Sequence, residues 1–221
     1  MTDTIRAPIA FFDLDLTLLE INSAQLWIKR ERKLGSISRF QLLKAAWWLC
    51  NYRLGLQNIE PAIREAIYAL KGRSEEDFKD QTALFFAEEV KHRFRPGGVE
   101  EIIQRRAEGI QCYLMTSASS YLADLAAEFL ELDGVIAQRF EVQNGVFTGY
   151  SEGELCFGEG KLHLAQALLS SRAVDPSNCY FYTDSFTDLP LLQSVGFPRC
   201  VFPDPHLRRA ANKEKWPILA W

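Results

Sequence analysis

Hydrophobic patterning divides this chain into two regimes. Short apolar runs fall at Ile9-Ala10-Phe11-Phe12, 110–115, 134–138 and 179–183, with helix-period stretches between the later ones. A run that is apolar at every position suits a strand covered on both faces, as in a parallel sheet. Residues 20–95 read instead almost wholly as helix: Ser23–Lys33 closed near Gly35, 38–54 closed by Gly55, 61–70 opened by Pro61 and ended by Gly72, and 75–93 opened by a capping box at Ser74-Glu75-Glu76-Asp77. Pro96-Gly97-Gly98 closes this block.

From residue 98 onward helix and strand alternate. The pattern predicts helices over 99–108, 121–132, 159–170, up to Val195 after Asp188, and after Asp204-Pro205. It predicts strands over 110–115, 134–138, 179–183, 200–202 and 216–219. Residues 140–148 alternate about Asn144-Gly145, a strong hairpin signal. Strands alternating with helices predict an α/β fold built on a parallel sheet. The helical block inserted after the first strand reads as a cap, so the expected division is 1–19 with 96–221 as core and 20–95 as cap.

Composition narrows the field only a little. The 221 residues are 48% hydrophobic, enough for a sizeable core, and the net charge of −4 offers no basic field for nucleic acid. The N-terminus lacks the basic-then-apolar order of a signal peptide, and no apolar stretch reaches membrane-spanning length. Five cysteines stand at 50, 112, 156, 179 and 200 with no paired spacing, which reads as a reduced, cytoplasmic set.

Chemistry gathers at strand ends. Asp13 and Asp15 follow the first strand, Thr116 and Ser117 end the second, and Asp184 and Asp188 follow 179–183; Lys161 lies in the first turn of a helix between the last two. Strands of a parallel sheet open their carboxyl ends on one edge, where such folds bind ligands. Asp13 and Asp15 share strand parity, so their charges call for a positive partner, for which a hard cation with oxygen ligands is the obvious candidate. His92, His163 and His206 are isolated and suggest neither metal ligation nor general-base catalysis. The stripe Trp47-Trp48-Leu49 with Trp27, Phe40 and Leu56 reads first as packing between cap helices; a substrate pocket, a dimer face or peripheral lipid contact are sharper alternatives.

Asp-x-Asp-x-Thr after an apolar strand, Thr/Ser ending a later one, a lone lysine and then Asp-Ser-x-x-Asp resemble the ordered motifs of the haloacid dehalogenase superfamily. Phe12-Asp13-Leu14-Asp15-Leu16-Thr17-Leu18 and Tyr182-Thr183-Asp184-Ser185-Phe186-Thr187-Asp188 are similar to its phosphoserine-phosphatase-like members. The resemblance implies a Rossmann-like sheet with a helical C1-type cap after the first strand, and a magnesium-dependent phosphatase. It implies Asp13 as nucleophile, Asp15 as general acid/base and Lys161 as the charge-stabilising cation. Phosphate would be bound by Lys161 with Thr116 or Ser117: Thr116 gives the better spacing to Leu132-Asp133 and is preferred, while Ser117 gives the better local match. Magnesium would be held by Asp13, Asp15 through its carbonyl, and Asp184, with Asp188 acting through water or by orienting Lys161.

The implied substrate is a small phosphate monoester such as a phosphorylated amino acid. The chain departs from the phosphoserine enzymes in having Asn22 where a substrate-binding glutamate is expected, with Glu20 displaced by two, and Ser-Ala at the second motif. A lipid-linked phosphate, a phosphotransferase reaction and a non-catalytic binding module are the alternatives. Arg53, Arg64 and Arg73 are further cap residues that could reach a substrate, although such arginines are usually solvated.

Overall fold

The computed structural model describes residues 7–33 and 60–221. Six strands form one all-parallel sheet: β1 (Ile9–Phe12), β2 (Gln111–Ser119), β3 (Gly134–Gln138), β6 (Tyr180–Thr183), β7 (Phe197–Val201) and β8 (Ile218–Leu219). Their spatial order is β3-β2-β1-β6-β7-β8. The chain starts in the middle, winds outward to β3, then returns to β6 on the other side of β1. The winding therefore reverses between β1 and β6, and such a reversal opens a crevice at the carboxyl edge.

The described residues form eight α-helices: α1 (Ser23–Lys33), α2 (Glu60–Tyr68), α3 (Glu75–Phe85), α4 (Pro96–Ala107), α5 (Ser120–Phe129), α6 (Glu159–Arg172), α7 (Leu189–Ser194) and α8 (Pro205–Glu214). Strand β1 shows why its sequence is apolar throughout. Ala10 and Phe12 face a core completed by Ile102 of α4 and Leu122, Ala123 and Ala126 of α5. Ile9 and Phe11 face a second core with Ala165 and Leu169 of α6, Leu191 and Leu192 of α7 and Leu207 and Ala211 of α8. Both faces are dry, so alternation vanishes.

The segments around Glu20 and Arg93–Arg95 run side by side as a narrow neck. Glu20 N donates to Arg93 O at 3.0 Å and Arg95 N to Leu18 O at 2.8 Å, so the two connecting segments run antiparallel. The cap expected at Ser74 is present, its hydroxyl accepting from Asp77 N at 3.2 Å. The helix expected to run to 93 keeps α-helical form only to Phe85. It then widens over Phe86–Val90, with Lys91 N reaching Phe86 O, and tightens over Lys91–Arg93.

The hairpin of β4 (Phe140–Gln143) and β5 (Val146–Ser151) turns on Asn144 (φ 52°) and Gly145 (φ 77°), both in the left-handed region that a tight hairpin turn needs. It docks on the α2–α3 turn through Gly72 N to Phe147 O (2.8 Å), Phe147 N to Arg73 O (3.0 Å) and Glu75 N to Gly145 O (2.9 Å). Trp27 packs against Phe78 and Phe85 with ring centres 5.6 and 5.1 Å apart, and Phe78 meets Phe147 at 5.3 Å. Trp27 therefore packs helices, as the simpler reading expected. The expected helix over 38–54 and Trp47, Trp48, Phe40, Leu56, Cys50 and Arg53 lie outside the described residues. Cys112, Cys156, Cys179 and Cys200 are free and buried. Among the described residues no helix is long and apolar enough to cross a membrane.

Candidate active site

The reversal of winding places the ends of β1 and β6 side by side: Asp13 N donates to Tyr182 O at 2.9 Å, continuing the sheet by one residue. Past Asp13 the chain breaks from the strand into a wide loop, Leu14–Leu18, closed by Leu19 N on Leu14 O at 2.8 Å. Within it Leu16 takes φ 61°, a left-handed conformation uncommon outside glycine.

Lys161 crosses from the far side of the crevice to meet these strand ends. Its Nζ lies 2.8 Å from Asp13 Oδ1 and 2.8 Å from Asp188 Oδ2. The three side chains are almost completely withdrawn from solvent. Helix α6 delivers the lysine through two glycines. Gly158 adopts φ 55° at the helix start, and a Cβ on Gly160 would collide with the Leu155 carbonyl oxygen.

Asp188 is held from its other side by Thr183 Oγ1, which donates to the same Oδ2 at 2.7 Å and accepts from Ser185 N at 3.2 Å. Asp184, which ends the same strand, receives only Thr17 Oγ1 at 3.4 Å among its side-chain hydrogen bonds to described residues. Three carboxylates thus face one ammonium. Burial pushes the Asp13 carboxyl up to about 7 against the pull of Lys161. Burial, reinforced by Asp13 and Asp188, pushes Asp184 up to about 8. Burial works against the Lys161 charge, but Asp13 and Asp188 outweigh it and hold the ammonium above its usual range.

Asp15 stands apart from this cluster. Its Oδ1 accepts the backbone N–H of Ser23 at 2.8 Å, at the start of α1. Burial raises its carboxyl, and the Ser23 hydrogen bond opposes that rise. The two candidate phosphate-binding hydroxyls also separate. Strand β2 runs four residues past the expected end at 115, to Ser119, with an irregularity in its pairing between Thr116 and Ser119. Thr116 is 1% exposed and its oxygen accepts from Ala118 N at 3.1 Å. Ser117 is exposed, and its hydroxyl donates to Cys156 O at 2.8 Å.

Thr17, Thr183 and Ser23 carry contacts to the acidic residues that sequence reading left without a role. Thr17 was visible as the last letter of Asp-x-Asp-x-Thr, and Thr183 as a polar residue closing an apolar strand. Ser23 carried little signal, since it holds Asp15 first through its backbone N–H, with its hydroxyl adding to that bond. Of the cap arginines, Arg64 is exposed and Arg73 donates to Gln81 Oε1 at 2.9 Å. Glu20 pairs with Arg93 at 2.9 Å, and Asn22 Oδ1 accepts from Gln25 N at 3.0 Å, capping α1.

A family model described as haloacid dehalogenase-like hydrolase matches residues 10–193. The chain belongs to that family. The match begins within β1 and ends in α7, so it spans every strand end described above. Among relatives of this hydrolase, phosphoserine phosphatase SerB1 of Mycobacterium tuberculosis is 29% identical over 95% of this chain and 69% of its own length. A histidinol-phosphatase of Neisseria meningitidis is 25% identical over 96% of this chain and 97% of its own length. A crystal structure of a protein of unknown function from Bordetella pertussis Tohama I is 26% identical and superposes with a TM-score of 0.87, covering 97% of this chain and 98% of that one.

For this hydrolase the oxygen-rich edge also bears on metal binding. Among the described residues no group of three or more histidine, cysteine or acidic side chains closes around a point. A small hard cation that keeps several waters does not need such a cage, since one or two carboxylates suffice. Asp13 and Asp184 are two such carboxylates, both raised by burial and by neighbouring carboxylates, Asp188 and Asp15 acting on Asp13, and Asp13 and Asp188 on Asp184, with Lys161 as the cation that opposes the rise in each. The donor set therefore fits a divalent cation.

Proposed function

We propose that this hydrolase is a magnesium-dependent phosphatase that hydrolyses a small phosphate monoester through a phosphorylated Asp13. The observation that carries this reading is the buried bridge from Asp13 to Lys161 to Asp188 at the carboxyl edge, with Asp184 beside it and Asp15 two residues away. The names of the two relatives, a phosphoserine phosphatase and a histidinol-phosphatase, support the reaction class.

Asp13 is the nucleophile: its free carboxylate oxygen attacks phosphorus as the ester P–O bond breaks. Lys161 draws Asp13 toward its ionised form against burial, aims it, and offers charge to the transferring oxygens. Asp188, pinned by Thr183, orients the lysine. Asp15 gives its proton to the leaving oxygen, then takes one from the water that attacks the aspartyl-phosphate, which restores both aspartates. Ser117 is the more accessible of the two candidate hydroxyls for a phosphate oxygen. Asp13, Asp184 and the Asp15 carbonyl are the groups to hold magnesium, which when bound neutralises charge on the phosphoryl group. Residues 20–95 serve as the cap that covers this edge and selects the substrate.

Among the described residues, those singled out for a lipid-linked or a phosphoserine substrate have other partners. Trp27 is used in packing, and Glu20 and Asn22 are engaged with Arg93 and the end of α1. A panel of phosphorylated amino acids, amino alcohols, sugars and lysophospholipids, assayed for phosphate release with magnesium, tests the proposal. Turnover of at least one small polar phosphomonoester, lost in Asp13→Asn, is the expected result. Release no faster than buffer across the panel overturns it.

A further inference from the structure

Asp15 makes its hydrogen bond with a residue of the 20–95 segment and not with another strand end. The partner is the first residue of a helix that belongs to the 20–95 segment. Asn22 is the N-cap of α1: its side chain accepts from Gln25 N at 3.0 Å and its carbonyl from Leu26 N at 3.1 Å. Ser23 is therefore the first helical residue, and its N–H is one of the donors that no α-helix can satisfy internally. That N–H is aimed at Asp15 Oδ1, 2.8 Å away, and Ser23 itself is 2% exposed. Trp27 of α1, one turn further along, is wedged between Phe78 and Phe85 of α3. The position of the carboxylate at the sheet edge is thus tied to the packing of helices beyond the neck.

We infer that Ser23, through its backbone N–H, is a positioning residue for Asp15, and that α1 is the element by which the 20–95 segment sets the acid–base step. This inference rests on the phosphatase reading above. The N–H holds one carboxylate oxygen, leaving the other to carry the proton. That proton passes to the ester oxygen as the Asp13–P bond forms and the ester P–O bond breaks. It is replaced by a proton from the water that later cleaves the Asp13–P bond. Loss of the N–H leaves Asp13, Lys161 and Asp188 untouched, so attack on phosphorus persists while proton transfer fails.

Ser23→Pro removes that donor together with the Ser23 hydroxyl, which also acts on Asp15. Ser23→Ala, which keeps the N–H, is the control. It is expected to leave the ratio of the two rates described below within about 3-fold of wild type, whereas a shift as large as that of Ser23→Pro assigns the role to the hydroxyl and overturns the inference. Proline is favoured at the first position of a helix, where its fixed φ fits and the missing N–H has no helical partner to lose. The readout is leaving-group dependence, which separates the two halves of the reaction. With 4-nitrophenyl phosphate, whose leaving group departs without a proton, Ser23→Pro is expected to keep a burst of 4-nitrophenolate within about 3-fold of the wild-type rate, followed by slower steady turnover. With an alkyl phosphate, single-turnover cleavage is expected to fall by roughly 10²-fold or more, the scale of general acid catalysis. Asp15→Asn marks the limit of both effects. Asn22→Ala, which frees the end of α1 without touching Ser23, is expected to move the ratio of the two rates in the same direction by a smaller factor. Because both substrates are read on one sample, a partly unfolded preparation lowers both rates together and leaves their ratio unchanged. Equal losses on the two substrates, or no loss on either, in both Ser23→Pro and Asn22→Ala overturn the inference while leaving the phosphatase reading intact. A wild type inactive on both substrates with magnesium overturns the phosphatase reading and takes this inference with it.

Discussion

Lys161 Nζ and Asp13 Oδ1 meet at 2.8 Å, with side chains only 3% and 9% exposed. A buried pair of this kind depends on both members, because removing one strands the other without water. Lys161→Ala leaves Asp13 and Asp188 facing each other in the interior, and a loss of ~3–5 kcal/mol in unfolding free energy is expected. Urea unfolding near neutral pH checks this. Lys161→Arg restores the charge but forces a larger planar group into the same space, so stability should recover more than activity does. Phosphate release should fall by ~10²-fold or more in Lys161→Ala, as it does when one preorganised charge is removed from a reacting centre.

The two aspartates of the first loop should fail in different ways. Asp13→Asn is expected to form no covalent intermediate and to release no phosphate. Asp15→Asn is expected to accumulate a phosphorylated enzyme when given an aryl phosphate with a good leaving group. Intact-protein mass spectrometry after a short incubation separates the two, and identical behaviour would remove the division of labour proposed for them.

Stability without magnesium should fall as pH rises. In the folded chain Asp13 and Asp184 hold their protons up to about 7 and about 8, whereas an unfolded aspartate releases its proton near 3.8. Between these values the folded state binds more protons than the unfolded one, so unfolding becomes easier with each step upward in pH. Their contribution is complete below about pH 4 and lost by about pH 8, with a slope of at most ~1.4 kcal/mol per pH unit for each carboxyl. Thermal melts in a chelator across this range should show the decline. Magnesium at pH 8 should raise the midpoint by several degrees, and Asp184→Asn should flatten the curve and blunt the response to the metal.

Gly160 links the fold to the site. A methyl group there meets the Leu155 carbonyl, part of the backbone of the loop that feeds α6. Gly160→Ala is expected to cost ~1–3 kcal/mol of stability through overpacking and to shift Lys161 off Asp13. Its activity should fall by more than its loss of folded protein explains, which paired melting and phosphate-release measurements resolve. Gly145→Ala, at a glycine of positive φ with open space around its Cβ, shows the cost of backbone strain alone, which Gly160, having no positive φ, does not carry.

Much of the fold was legible because its causes are local. A four-residue run with no polar position requires cover on two sides, and β1 has it. Asn144-Gly145 supplies two residues that tolerate positive φ, and a tight hairpin follows. Ser74 precedes three acidic residues, and it caps α3. Where local pattern carries less information the expectations slipped. The helix expected to reach 93 loses its regular form after Phe85. The strand expected to end at 115 continues to Ser119, because polar residues can extend a strand when a neighbour, here β3, offers pairing.

By itself, the sequence determined the class of fold and which residue types end the strands, since both follow from short-range periodicity and composition. It also marked Asp13, Asp15, Lys161, Asp184 and Asp188 as the chemically unusual positions. Only the tertiary structure decided how they meet. Lys161 reaches Asp13 across 148 positions of chain, and no local rule states which of 25 lysines and arginines makes that crossing. The reversal of winding between β1 and β6 decided that Asp13 and Asp184 lie side by side. Only the tertiary structure separated Thr116 from Ser117, enclosing one and exposing the other. The tie from Asp15 to Ser23 runs first through a backbone N–H, which every residue but proline possesses, and its direction is set only when α1 packs.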